Sequence, residues 1–293
     1  MKHWINERVS MKKFYLITNY EKDSNLGITN KIIGYIEKNG GSATYQTIFS
    51  KERNRVDESI IPEDTQCILV LGGDGTLIKA ARELVSRNIP LIGVNFGHLG
   101  YLVEIEISDI EHTLDLLMND KYQLERRMMI TADVSRNGNV IHKGVALNDI
   151  SVSRNGKLKV LNFKVYVNGQ FINKYSADGI IVSTPTGSTA YNLSAGGPIV
   201  EPCADIIVLT PVCPHTLNSR SIVLSAESVI DIEILSDRTE NEEFKNVNYD
   251  GSDICELMTN DVITIRKSDM YTNIAKISKL SFFETLQKKM SNI

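Results

Sequence analysis

Residues 66–85 read QCILVLGGDGTLIKAARELV. The run from Gln66 to Gly72 is almost continuously apolar, as strands of a parallel sheet buried on both faces require. After it, Leu77, Ala80, Ala81, Leu84 and Val85 recur at i, i+3, i+4, i+7 and i+8, which lays one apolar face along a helix. Strand, glycine turn and helix in that order predict an α/β unit, and the glycines are its unusual part. Glycine costs backbone entropy and begins a helix less well than a capping residue does. Gly72, Gly73 and Gly75 around Asp74 therefore call for something that comes close to the backbone. At the junction of a strand and a helix, glycine amides and the helix's unpaired N–H groups can receive phosphate oxygens. A carboxylate there repels phosphate unless it binds a metal or takes a proton from a nucleophile. The plainer alternative is a tight turn with Asp74 capping the helix. The stretch is neither GxxxxGK[ST] nor GxGxxG.

Outward from this stretch the same alternation continues. KKFYLIT (12–18) predicts a strand, residues 24–37 a helix, PLIGVNFG (90–97) another strand, and residues 108–118 another helix. That is βαβ order and predicts an open, mostly parallel sheet. Beyond Leu124 the pattern changes. Residues 130–154 and 162–185 are extended stretches broken at Asn-Gly, a strong hairpin signal. Further strands are expected at 221–225, 229–235, 244–249 and 261–266, and an amphipathic helix at 280–290. The chain thus reads as an α/β domain over 1–125 with a returning segment at about 270–293, and a mainly β, sandwich-like domain over 126–269. The first ten residues carry no periodicity, and a chain beginning at Met11 is expected to lose nothing.

Composition narrows the classes. The 293 residues are 42% hydrophobic and 23% charged, with a formal net charge of -4, and the mean hydropathy is -0.13. There is no general basic footprint for nucleic acid and no apolar stretch of the roughly 20 residues a membrane span needs. The start lacks an apolar core followed by a small-residue cleavage site, so a cytoplasmic protein is expected. Cys67, Cys203, Cys213 and Cys255 form no CxxC pair. Cys67 opens the apolar strand and reads as a small buried hydrophobe. The histidines form no HExxH.

Two further stretches could carry chemistry. In SADGIIVSTPTGSTAYNLSAGGPIV (176–200) a strand runs into a turn packed with Thr184, Thr186, Ser188 and Thr189. Such hydroxyls could line a wall for a flat polar ligand, with Tyr191 available to stack; a Ser/Thr-rich helix cap is the plainer alternative. In ALNDISVSR (146–154), Asn148 and Asp149 interrupt an apolar strand pattern, through a bulge or turn or through polar atoms aimed at a ligand, and by itself the stretch reads as the bulge or turn.

The order of GGDGT, GVNFGHLGYL (93–102), Asn-Asp, DGIIVSTPTGSTAYNLSAGGPIV and PHTLNSRSIV (214–223) resembles the NAD kinase family, over roughly residues 66–252. GGDGT alone is shared with diacylglycerol-type lipid kinases and loosely with phosphofructokinases; STPTGSTAYNLSAGGPI is far more specific. The resemblance implies an N-terminal α/β domain, a β-rich C-terminal domain, an active site between them, and a homo-oligomer, dimer or tetramer. It implies transfer of a phosphoryl group from ATP, another nucleoside triphosphate or polyphosphate to the 2′-hydroxyl of NAD's adenosine ribose, with Mg²⁺ or a similar ion. By the same resemblance, Asp74 is the general base. Gly72, Gly73, Gly75, Thr76 and Asn95 lie at the phosphates. NAD contacts fall to Asp74, Gly75, Asn148, Asp149, Lys159, Ser176, Asp178 and the run Thr189, Ala190, Tyr191, Asn192, Leu193, Ser194. Ser176 stands where an arginine or histidine is common, and Ser252 near a frequent glutamine, which bears on affinity more than on reaction type. A lipid kinase and a non-catalytic NAD-sensing module are the competing classes.

Overall fold

The computed structural model describes residues 4–5, 10–49, 55–97, 100–154, 160–216, 219–236, 245–277 and 280–291. The chain divides into two compact units, residues 1–127 with 271–293, and residues 128–270.

In the first unit, β1 (Trp4–Ile5) precedes β2 (Lys13–Asn19), α1 (Gly27–Lys38), β3 (Ser42–Ile48), β4 (Cys67–Gly72), α2 (Asp74–Glu83), β5 (Leu91–Asn95), β6 (Ile105–Glu106) and α3 (Ile110–Met118). β3, β2, β4, β5 and β6 pair in parallel, with Leu16 opposite Leu69 and Gly72 opposite Asn95. Every residue of β4 is buried, which is why its sequence is one apolar run. Leu77, Ala80, Ala81 and Leu84 of the α2 region are buried as their spacing requires. Cys67 is buried in this core, and burial pushes its thiol up to about 12. α1 begins three residues later than the periodicity predicts, because the Asp23 carboxylate accepts the N–H groups of Ile28 and Thr29 and the Thr29 hydroxyl. β3 escapes sequence reading because it is an edge strand, SATYQTI, that buries only Gln46 and Ile48.

The start of the chain is a correction. Trp4 and Ile5 pair antiparallel with Glu125 and Leu124, the Ser10 hydroxyl donates to the Met118 carbonyl at 2.5 Å, and Met11 is buried. A two-residue strand is too short to leave a periodic signal.

The remaining strands are β7 (Gln123–Arg136), β8 (Asn139–Ala146), β9 (Asp149–Arg154), β10 (Leu161–Val167), β11 (Gln170–Ala177) and β12 (Gly179–Ser183). They are followed by a short helix α4 (Tyr191–Ser194), then β13 (Ile206–Val212), β14 (Ile222–Ser225), β15 (Ile230–Ile234), β16 (Lys245–Tyr249), β17 (Asp253–Leu257) and β18 (Val262–Lys276). In the second unit β14-β13-β12-β9-β16-β17 form an antiparallel sheet, while β11-β10-β15 pair antiparallel with the start of β18. Ile150, Val182 and Leu209 from the first of these sheets share one core with Phe163, Ile232 and Ile265 from the second. Asn137-Gly138 and Asn168-Gly169 turn the β7–β8 and β10–β11 hairpins, all four with positive φ, the paired left-handed turn that Asn-Gly favours. The end of β18 returns to the first unit, where Ile274 pairs parallel with Leu91. α5 (Phe282–Ser291) closes the chain with a reciprocal cap, Ser281 N–H to the Glu284 carboxylate and Glu284 N–H to the Ser281 hydroxyl.

Candidate active site

In the first unit, GGDGT forms the turn from β4 into α2, and Asp74 is the helix's first residue. Its side chain does not cap that helix. It reaches instead to the loop before β6, where Oδ2 accepts the Tyr101 N–H at 2.8 Å and Oδ1 those of Leu102 and Val103 at 3.2 and 3.0 Å. Gly100 makes room for this: a Cβ there would stand 1.9 Å from Asp74 Oδ1. The capping alternative is thus replaced by a carboxylate that pins a second loop through three consecutive amides. The Tyr101 hydroxyl is pushed up, by burial first and then by the Asp74 charge. Lys289 of α5 places its ammonium 5.1 Å from the centre of the Tyr101 ring.

The three glycines differ. Gly72 is required from within, since a Cβ would meet the Thr76 hydroxyl at 2.4 Å. Gly75 faces open space, and a Cβ on Gly73 would meet only the Lys22 ammonium, at 3.5 Å. Among the described residues no neighbour explains glycine at these two positions. Asn95 ends β5 beside Gly72 and is buried. Its Oδ1 accepts the Gly97 N–H at 3.3 Å, while its Nδ2 has no acceptor among the described residues. Lys22, which the sequence reading passed over, sits in a turn after β2 fixed by the Lys22 and Asp23 N–H groups on the Asn19 carbonyl.

The second unit gathers most of the other predicted residues. Asn148 and Asp149 lie at the entry to β9 and are only 8% and 5% exposed. Asp250, in the left-handed Asp-Gly turn between β16 and β17, accepts the N–H groups of Leu147, Asn148 and Asp149 at 2.9, 2.7 and 3.2 Å. Burial, and then the Asp250 charge, push the Asp149 carboxyl up to about 7. The Asn148 side-chain oxygen is buried without a partner among the described residues. Tyr191, 46% exposed, has its hydroxyl pushed up by burial and then by Asp149, Cys213 and Asp178, so these groups share one neighbourhood. Asp178 follows β11 and receives Arg154 Nε at 3.1 Å. Asp250 and Arg154 were not singled out from the sequence. A D-G pair was the signal for the first and an arginine ending an apolar strand for the second.

Several predicted side chains point elsewhere. Asn192 is fully buried: its Nδ2 donates to the Ser188 and Pro198 carbonyls and its Oδ1 accepts the Thr210 hydroxyl at 2.7 Å. It holds the turn together and offers a ligand no side-chain atom. Of the four hydroxyls in the expected wall, two are engaged inward: Thr184 donates to the Leu147 carbonyl and Ser188 to that of Val200. Ser176 donates to Asn162 Oδ1 at 2.6 Å. Thr189 and Ala190 are half-buried, and Leu193 and Ser194 are exposed beside Tyr191. Lys159 lies outside the described residues. Among the described residues no group of three or more His, Cys, Asp or Glu could hold a metal ion, no helix is long and apolar enough to cross a membrane, and the four cysteines form no disulfide.

Comparison with known proteins falls on the same two regions. Residues 14–122 match the family model for the ATP-NAD kinase N-terminal domain, and residues 147–277 that for the ATP-NAD kinase C-terminal domain. An NAD kinase of Agathobacter rectalis is 49% identical over 284 residues, covering 96% of this chain and 99% of its own. One of Lachnospira eligens is 43% identical over 293 residues, covering 96% and 100%. Among solved structures, an NAD kinase from Archaeoglobus fulgidus in complex with ATP superposes with a TM-score of 0.76 at 25% identity, covering 96% of this chain and 99% of that one. A yeast NADH kinase complexed with NADH gives 0.78 at 21% identity over 99% and 91%, which speaks for the fold alone. The lipid-kinase and sensing-module readings find no support in these matches.

Proposed function

The chain belongs to the NAD kinase family and uses ATP to phosphorylate NAD, and on that premise we propose which of its residues do so, with the adenosine 2′-hydroxyl as acceptor and NADP as product. Phosphoryl transfer leaves a protein mainly positioning and charge neutralisation to perform. Asp74 takes the ribose proton. Its three amide partners fix the carboxylate's direction, and it exchanges one of them for the hydroxyl as the reaction proceeds. Gly73 and Gly75 admit phosphate to the backbone, Thr76 and the Asn95 amide donate to it, and Lys22 brings the opposing charge.

In the second unit the observation that carries the reading is the buried, unpartnered Asn148 oxygen beside Asp149 and Tyr191. A buried acceptor without a donor costs about 1–3 kcal/mol, and an O–H or N–H of the dinucleotide would remove that cost. Asp149 and Asp178 accept ribose hydroxyls, Tyr191 stacks, and Gly75, Thr189, Ala190, Leu193, Ser194, Ser176 and Lys159 complete the contacts. A divalent cation, Mg²⁺ by preference, arrives on the triphosphate, since the described side chains form no cage for it, and there it would neutralise phosphate charge. A homo-oligomer in the cytoplasm is part of the same reading, the latter in keeping with four cysteines that form no disulfide among the described residues.

The test is a coupled assay of NADP formation from NAD with ATP, other triphosphates and polyphosphate as donors. Turnover with ATP is the expected result, and purified protein that forms no NADP with any donor overturns the reading.

A further inference from the structure

We propose that Asp250 is a positioning residue that acts on the dinucleotide through Asp149, by clamping the Leu147–Asp149 backbone and by setting its own negative charge against the Asp149 carboxylate. The proposal rests on the reading of Asn148 and Asp149 as NAD-binding. Its ground is geometric. A single carboxylate from a turn about a hundred residues downstream accepts three successive N–H groups, and the Asp250 N–H in return donates to the Asp149 carbonyl at 3.0 Å. The clamp leaves the Asn148 and Asp149 side chains as the groups free to meet a ligand from this segment. From the opposite side, the Asn148 carbonyl accepts the Thr184 N–H at 2.9 Å, and Gly187 packs so close that a Cβ would stand 2.1 Å from that carbonyl oxygen.

The charge has its own effect. Among the described residues, the titratable groups recorded against Asp149 are Asp250 from the β16–β17 turn and Tyr191 from α4; the facing residue on β12, Ser183, is neutral. With a carboxyl at about 7, Asp149 changes charge near neutral pH. Its ionised form accepts ribose hydroxyls through charge-assisted hydrogen bonds, roughly twice as strong as neutral ones. NAD binding therefore weakens as pH falls through about 7, and ATP binding in the other unit has no reason to follow.

The same raised value fixes the sign for stability. Between about 4 and 7 the folded chain holds a proton that the unfolded chain has released, so this group's contribution falls as pH rises across that window and is fully adverse above it.

The experiment uses the full chain and compares wild type, Asp250→Asn and Asp149→Asn between pH 5.5 and 9. The KM for NAD, the KM for ATP and kcat are measured, with thermal melts of the ligand-free proteins from pH 5 to 8. In wild type the KM for NAD should rise several-fold below about pH 7 with the KM for ATP flat. Asp149→Asn should abolish that inflection, and Asp250→Asn should move it to lower pH by about a unit. The Tm gained by Asp149→Asn over wild type should grow between pH 5 and 7 and level off above. An unmoved inflection in folded Asp250→Asn, or equal rises in both KM values, overturns the proposal. Should Asp250→Asn not fold, the melts decide alone, and a pH-independent Tm difference for Asp149→Asn overturns it. A wild type that makes no NADP sinks the functional reading instead, while the melts still report on the carboxylate pair.

Discussion

Asp74 Oδ2 accepts the Tyr101 N–H at 2.8 Å, which ties the residue proposed as general base to a loop 27 positions along the chain. The carboxylate is a structural anchor, on the proposed reading the general base as well, and replacing it tests both roles. In Asp74→Asn the new side-chain amide would set an NH₂ group against at least one of the three backbone N–H groups, a clash of donors worth about 1–3 kcal/mol. The variant is therefore expected to lose several degrees of Tm, at ~2–4 °C per kcal/mol. It should still bind NAD, with kcat lowered at least ~100-fold, because an amide cannot accept the ribose proton. A folded variant whose kcat falls less than ~10-fold would leave Asp74 as an anchor only.

Gly100→Ala probes the same anchor without touching the carboxylate. A Cβ 1.9 Å from Asp74 Oδ1 forces the side chain off its amides. Misplacement of about 1 Å can cost ~100-fold in rate. The expected signature is a loss in kcat with the KM for NAD within about threefold of wild type. Unchanged kcat in a folded Gly100→Ala would show that the direction of the carboxylate is immaterial.

Lys22→Met removes the cation beside Gly73 while keeping the length of the stem. Hydrogen bonds to charged groups contribute about 1.5–3 kcal/mol, so the KM for ATP should rise ~10-fold or more, with the KM for NAD near its wild-type value. If the NAD term moved and the ATP term did not, Lys22 would belong to the acceptor and not the donor.

Asp178 and Arg154 form a pair, and their roles separate in a double-mutant cycle. Asp178→Ala should raise the KM for NAD well above any change for ATP. Arg154→Ala should leave much of that affinity in place, since the ribose contact is assigned to the carboxylate. Two single variants with the same effect, and a double variant no worse, would show that Asp178 serves only to hold Arg154.

The strand–turn–helix of residues 66–85 was legible because its signals are local: a buried apolar run, glycines and a helical stripe. The Asn-Gly hairpins were legible for the same reason, as both turns need left-handed residues in adjacent positions. The edge strand β3 was not, because an exposed strand has little apolar pattern to show. At the candidate site, residue types pointed to Asp74 and the family resemblance to Asn148 and Asp149, but their partners could not be read. Tyr101 to Val103 contribute backbone N–H groups, which any residue but proline supplies, and Asp250 meets Asn148 across 102 positions. Asn192 misled for a related reason. Its polarity is satisfied inward by Ser188, Pro198 and Thr210, and only packing reveals that.

The Asp250 clamp also orders events during biosynthesis. Asn148 and Asp149 leave the ribosome about a hundred residues before the carboxylate that holds their backbone, and the β16 strand that pairs with β9 emerges in the same late segment. Contacts this distant in sequence close slowly, because the chain between them must first be gathered in. A nascent chain that has not yet delivered its Asp-Gly turn carries the Asn148–Asp149 pair but cannot hold it in shape. On the proposed reading of that pair, a chain that stops before Asp250 is expected to lack an ordered dinucleotide site.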